Sequence, residues 1–251
     1  MSASVLEARG LTRRFGALTV TDDVSFAIKP GARQALIGPN GAGKTTLINL
    51  LTGMIKPTAG QVWLADRDIT HLKPSARVRM GLSRTFQINQ LFPDMSPAES
   101  LALAISERNG SGADFWRAAG GQPAIVAEIA ELLALSGLEA DLDQPTRKLA
   151  YGKQRLLEIA LALATRPRVL LLDEPAAGVP EEERRDILAA LAALPSDVAI
   201  LLIEHDMDLV FNFAERISVL VAGKLLIEGV PEAIAADERV RAVYLGEDAR
   251  G

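Results

Sequence analysis

Along residues 19–28, "TVTDDVSFAI", apolar positions alternate with polar ones around Val20, Val24, Phe26 and Ile28, and "KPG" (Lys29 to Gly31) closes the run. Period-two alternation ended by a Pro-Gly turn predicts strand structure over the first thirty residues. "QALIG" (34–38) predicts a short buried strand, and Lys44 to Leu51 a helix stopped near Gly53. "PTAGQVWLADRDI" (57–69) predicts a hairpin segment that turns at "ADRD".

The pattern changes between about Asn89 and Thr165, where Ala and Leu at helical spacing replace β-branched runs. Ile125, Ile129, Leu132 and Leu133 fall on one helix face, with Glu128 and Glu131 expected outside. The Gly-rich stretch "ERNGSGADFWRAAGGQP" (107–123) breaks the pattern and reads as an insertion. Its Phe115 and Trp116 are either a partner contact or a local hydrophobic tuck. After Pro167 strands and helices alternate again: "VLLLDE", "PEEERRDILAALAAL", "VAILLIEH", then a hairpin "RISVLVAGKLLIEG" turning at Ala222-Gly223, then a helical tail. Continuous apolar strands separated by helices imply an α/β fold with a mainly parallel, doubly covered sheet. The expected organisation is one domain over 1–251. Residues 1–88 and 166–251 form the core with an N-terminal antiparallel β subdomain, and 89–165 form an inserted α-helical subdomain.

Composition narrows the picture. The 251 residues are 49% apolar and 24% charged, enough for a sizeable core. A net charge of −5 without a long basic block speaks against nucleic acid as the main partner. There is no cysteine, hence no disulfide framework. "MSASVLEARGL" lacks the basic-then-apolar order of a secretory signal. The longest apolar stretches, such as Ile187 to Leu194, fall short of the roughly 18–20 residues that span a bilayer.

Three strand ends carry the chemistry. "GPNGAGKTT" follows a predicted strand, opens a predicted helix, and fits G-x-x-x-x-G-K-[ST] at Gly38, Gly43, Lys44 and Thr45. In such a loop, glycines let consecutive N–H groups point inward at phosphate oxygens, and the helix adds its positive end. The run Gly38, Pro39, Asn40, Gly41, Ala42, Gly43, Lys44, Thr45 and Thr46 is therefore the candidate phosphate cradle, with Lys44 for the β- and γ-phosphates and the Thr45 hydroxyl for Mg²⁺. "VLLLDEP" places Asp173 and Glu174 at the end of a buried strand. Asp173 suits the Mg²⁺ shell, and Glu174 can orient or deprotonate a water. "LLIEHD" ends another strand at His205; on the residues alone this histidine is either structural or a γ-phosphate donor, while His71 reads as a surface residue. A second Gly-bearing turn, "LAYGKQR" (149–155), opens a helix more than a hundred residues after the first.

Taken together, the phosphate loop, "RTFQ" (84–87), "LAYGKQR", "VLLLDEP" and "LLIEHD" come in the order of an ATP-binding-cassette ATPase, a P-loop NTPase. The resemblance covers nearly the whole chain. "GLSRTFQINQLFPDMS", "DEPAAG", "LLIEHDM" and the closing "VYLGE" most resemble the ATPase subunits of branched-chain and hydrophobic amino-acid uptake systems. It implies ATP and Mg²⁺ as ligands and ATP hydrolysis coupled to transport. Phe15, in "RRFG", would stack on adenine; Gln87 would sense Mg²⁺ and water; His205 would meet the γ-phosphate. It also implies head-to-tail pairing with a second, related ATPase. There the turn carrying Ala150, Tyr151, Gly152 and Lys153 covers ATP held by the partner's phosphate loop. Permease subunits would be contacted by residues after Gln87, a solute-binding protein would be an indirect partner, and the chain would sit peripherally on the cytoplasmic face of the inner membrane.

Four positions depart from the common pattern. Ala150 and Tyr151 stand where Ser and Gly are common, Lys153 where Gln is usual, and Pro180 where this subfamily tends to have Asn. Lys153 is expected either near the partner's triphosphate or solvated away from it. The alternatives in function are a related importer ATPase serving urea, amides or aromatic acids, and a soluble ATP-switch protein. The latter would carry paired cassettes, coiled insertions or basic patches.

Overall fold

The computed structural model describes residues 4–85, 91–110 and 123–248. In chain order its elements begin with β1 (Leu6–Phe15), β2 (Leu18–Ile28), β3 (Arg33–Ile37), α1 (Lys44–Thr52), β4 (Ala59–Leu64), β5 (Arg67–Asp68), α2 (Pro74–Arg79) and β6 (Leu82–Arg84). Next come α3 (Pro97–Arg108), α4 (Pro123–Leu135), α5 (Tyr151–Ala164), β7 (Val169–Asp173), α6 (Glu181–Ala192) and β8 (Ala199–Ile203). The chain ends with α7 (Met207–Phe213), β9 (Arg216–Val221), β10 (Lys224–Gly229), α8 (Pro231–Ala236) and α9 (Glu238–Asp248). It divides into two compact units, one of 1–82, 168–174 and 196–251, the other of 83–167 and 175–195.

The first unit contains an antiparallel sheet ordered β2-β1-β4-β5, and strands of a second sheet ordered β10-β9-β3-β8-β7-β6. In the second sheet β3 runs parallel to β8 and β9, and β7 parallel to β8, while β10 returns antiparallel to β9. The mainly parallel α/β core expected from the apolar runs is thus present. Leu36, Leu171, Leu201 and Ile203 join the core that holds Leu47, Ile48, Leu50 and Leu51 of α1 and the inner face of the antiparallel sheet. Ala35 and Ile37 of the same strand β3 point the other way, into a core with Val210, Ala214, Ile234 and Val240. Burial on both faces explains why these strands read as continuous apolar runs.

Helix α1 is fixed at its far end by a buried cation. Gly53 takes the left-handed C-cap, with φ 78°, and its N–H bonds Leu50 O at 3.3 Å. Arg77 of α2, only 1% exposed, donates to Leu50 O (2.9 Å), Leu51 O, Thr70 O (2.7 Å) and Leu72 O (3.1 Å). Burial pushes its guanidinium down to about 10, with Asp68 opposing. The short elements α2, β6 and α7 were absent from the sequence expectation. α2 is six residues, "PSARVR", and β6 three, "LSR", too short and too polar to set a period.

In the second unit, α3 opens on a reciprocal capping box. Ser96 Oγ accepts from Glu99 N at 3.3 Å, and Glu99 Oε2 accepts from Ser96 N at 2.8 Å. Glu128 of α4 is not on the outer face, which corrects the expectation above. Its carboxylate takes Arg108 Nη1 at 2.5 Å and Nη2 at 2.9 Å, and Arg166 Nη2 at 2.9 Å, while Arg108 also donates to Ala164 O at the end of α5. A helical stripe can be invaded by a carboxylate when two arginines meet it there, because pairing offsets the desolvation. Glu131 is exposed as expected, and Ile125 and Leu133 are buried. Phe115 and Trp116 lie outside the described residues.

Candidate active site

Parallel pairing sets where the chemistry converges within the first unit. Leu36 aligns with Ile203, and Ile203 with Asp173, so β3, β8 and β7 end at one edge. The phosphate loop, the Asp173-Glu174 pair and the Glu204-His205 pair follow those three ends. This is the edge at which α/β sheets bind ligands.

The loop between β3 and α1 needs glycine at specific places. Gly41 has φ 77° and Gly43 φ 100°. A Cβ on Gly43 would lie 2.6 Å from Val20 O, so that residue is excluded from having a side chain on two grounds. Gly43 is also the N-cap of α1 and brings no side-chain cap. The first turn of α1 thus presents its positive end toward the loop. Lys44 Nζ folds back onto Gly38 O and onto Pro39 O (3.1 Å). Asn40 and Thr45 are exposed, and Thr46 half-buried.

Asp173 ends β7 with 1% exposure. Glu174 follows with φ 48°, a left-handed conformation for a non-glycine residue, and its N–H bonds Ile203 O at 2.9 Å. Strain of this kind persists where the surrounding structure imposes it, often at functional sites. His205 Nδ1 lies 3.9 Å from Glu174 Oε1 and 3.7 Å from Glu204 Oε2, with the imidazole side chain 66% exposed. The buried Glu204 also accepts from His205 N at 3.1 Å, which fixes the backbone that aims the ring. Phe15 ends β1, 48% exposed, with the Arg13 guanidinium 4.4 Å from its ring centroid. Gln87 lies outside the described residues.

These residues fit a Mg²⁺-nucleotide. An uncapped helix start and left-handed glycines make an anion cradle, and a buried carboxylate stands at the same sheet edge. Among the described residues no group of three or more His, Cys, Asp or Glu forms a metal cage. Mg²⁺ held by one carboxylate, a hydroxyl and phosphate oxygens needs no such cage.

The second unit holds the other glycine turn. Ala150 is the N-cap of α5 and supplies no side-chain cap. Tyr151, half-exposed, takes a hydrogen bond from Arg155 Nη2 at 2.9 Å, and Arg155 in turn pairs with the buried Glu158 at 2.9 Å. Desolvation of Glu158 raises its pKa, and Arg155 opposes the rise. Lys153 Nζ pairs with Asp141 Oδ2 at 2.6 Å, with its side chain 41% exposed. Gly152 N donates to Glu183 Oε2 at 2.7 Å. Arg155, Glu158, Asp141 and Glu183 were not singled out in the sequence. For Glu183 a signal existed: it is the third residue of α6, a place where a glutamate usually reaches back to its own helix's N-cap.

Comparison with known proteins agrees with this geometry. Residues 21–177 match the family described as ABC transporter, and residues 224–250 the family described as branched-chain amino acid ATP-binding cassette transporter. The chain is 40% identical over 257 residues to the high-affinity branched-chain amino acid transport ATP-binding protein LivG of Escherichia coli K12, across 98% of this chain and 100% of that one. It is 39% identical over 256 residues to BraF of Pseudomonas aeruginosa, which carries the same description, with the same coverage. Among solved structures, an ATP-binding cassette of an ABC transporter in its ADP conformation matches with a TM-score of 0.83 at 30% identity, over 97% of this chain and 99% of that one. A nucleotide-free cassette matches with a TM-score of 0.82 at 30% identity, over 96% and 98%.

Proposed function

This chain belongs to the ABC transporter family of ATP-binding proteins, and from that premise we propose that it is the ATP-hydrolysing subunit of an importer for branched-chain amino acids. The observation that carries the substrate class is the match of residues 224–250 to the branched-chain family, together with near-complete alignment to LivG and BraF. Residues 1–88 and 166–251 would carry the catalytic core and 89–165 the inserted helical subdomain, although 175–195, with α6, cluster with the helical unit.

The residue roles are those that the family resemblance implies, and the arrangement at the sheet edge supports them. Phe15 offers a ring face to adenine. The run from Gly38 to Thr46 wraps the phosphates, and Lys44 leaves its carbonyl partners to neutralise the β- and γ-oxygens. Thr45, Asp173 and Gln87 would hold Mg²⁺, which would neutralise charge on the phosphate oxygens. Glu174 orients the attacking water and takes its proton, and His205 donates to the γ-phosphate. The turn from Ala150 to Lys153 covers nucleotide bound by a second, related ATPase. Permease subunits anchor the pair peripherally at the cytoplasmic face of the inner membrane and receive the stroke, and a solute-binding protein delivers the amino acid. No helix among the described residues is long and apolar enough to cross a membrane, in keeping with an anchor supplied by partners.

Lys44→Ala tests the nucleotide reading. Loss of most ATP turnover together with weakened ATP binding is expected, because the phosphate charge loses its partner. Turnover equal to the unsubstituted chain would overturn the assignment.

A further inference from the structure

Glu183 stands at a junction of two helix starts. It is the third residue of α6, whose N-cap is Pro180. A glutamate at that position normally closes on the N–H of its own N-cap residue. Proline has no N–H to offer. The carboxylate therefore turns outward and takes Gly152 N of α5 at 2.7 Å. The approach is close: a Cβ added to Gly152 would lie 2.5 Å from Glu183 Oε2 and 2.9 Å from Glu183 Cβ. Gly152 has no left-handed φ to accommodate, so its missing side chain serves the space that Glu183 fills.

Helix α5 has a matching deficiency. Its N-cap, Ala150, lacks the side-chain oxygen that would satisfy a first-turn N–H. Glu183 supplies an oxygen in its stead. The nearest cation in sequence, Lys153, is committed to Asp141 at 2.6 Å. One carboxylate thus serves the positive ends of two helices. It lies on the turn that the proposed function assigns to the neighbouring subunit's nucleotide.

We propose that Glu183 is a gate on ATP-driven pairing, holding the Gly152 N–H until the γ-phosphate of the neighbouring subunit's ATP displaces it. This rests on the proposed role of the 150–153 turn. Two anions cannot share one N–H, and a phosphate arriving there meets a like charge at hydrogen-bond range. The gate therefore raises the ATP concentration at which subunits close, and it keeps the turn capped while they are apart. Pro180 belongs to the same device, since it frees Glu183 from its own helix.

The test uses the full chain carrying Glu174→Gln, so that ATP persists. Association is followed by sedimentation velocity across an ATP titration with Mg²⁺, for this parent and for parents bearing Glu183→Gln or Glu183→Ala. The gate predicts an ATP midpoint lower by about tenfold or more in Glu183→Ala, the scale of one charge-assisted hydrogen bond, or a dimer where the parent shows none. Glu183→Gln, isosteric but uncharged, should fall between the two and keeps the test valid if the alanine variant misfolds. If Glu183 instead held the turn in a pairing-competent shape, both substitutions would raise the midpoint. A raised or unchanged midpoint, or no association by any of the three at saturating ATP, overturns the proposal. ATP binding by the parent, compared with Lys44→Ala, is measured on separate samples and judges the nucleotide reading independently.

Discussion

A glutamate at φ 48° occupies a region that costs of order 1–3 kcal/mol for a residue with a side chain, and Glu174 holds that conformation beside His205 at the sheet edge. Its N–H is tied to Ile203 O, so the strain is imposed by strand pairing and the carboxylate is delivered at a defined place. Glu174→Gln keeps the size and the tether but cannot take a proton. Turnover should fall by roughly a hundredfold or more, with ATP binding retained, as read by phosphate release beside a binding titration. Rapid turnover would mean another base. Gly43→Ala is the complementary case. Both φ 100° and the 2.6 Å approach to Val20 O oppose a methyl group there. Thermal unfolding should show a loss of about 1–3 kcal/mol, and nucleotide binding should fall with it.

At the scale of elements, α1 begins at the phosphates and ends on Arg77. Removing that guanidinium leaves several buried carbonyls without a donor, each costing about 1–3 kcal/mol. Arg77→Met should therefore destabilise the chain by more than about 3 kcal/mol in urea unfolding. Arg77→Lys should not restore it, because a point ammonium cannot span four carbonyls as a planar fork does. The α3–α4–α5 junction makes a pH prediction. Hydrogen bonding from Arg108, aided by Arg166, lowers the Glu128 pKa against the opposing effect of burial. A carboxylate depressed in the folded state contributes stability above its unfolded pKa and loses it as pH falls through the folded value. The stability gap between the unsubstituted chain and Glu128→Gln should thus be full near neutrality and close progressively below the usual glutamate range. A gap that stays constant well below that range would contradict the pairing. The same junction shows where residue type misleads: three positions after Ile125 and four before Leu132, Glu128 falls in the apolar stripe by spacing, and Arg108 and Arg166, distant in sequence, offset there the charge that argued for the outer face.

Across the molecule, what could be read in the sequence is what depends on local order. Strands β1 to β3, the glycine-bounded helix α1 and the β9–β10 hairpin announce themselves through alternation and turn residues, and the phosphate loop through a spacing that only a strand–loop–helix satisfies. What could not be read depends on distant pairing. Nothing near Lys153 signals that Asp141 takes its charge, and nothing near Gly152 signals Glu183, since each partner arrives from another helix or turn. The central claim is that ATP held at the Lys44 loop powers uptake of branched-chain amino acids. It is tested most directly by the uptake of labelled leucine into cells whose only copy of this gene carries Lys44→Ala. The account predicts uptake no higher than in cells lacking the gene, whereas uptake equal to cells with the unsubstituted gene would contradict it.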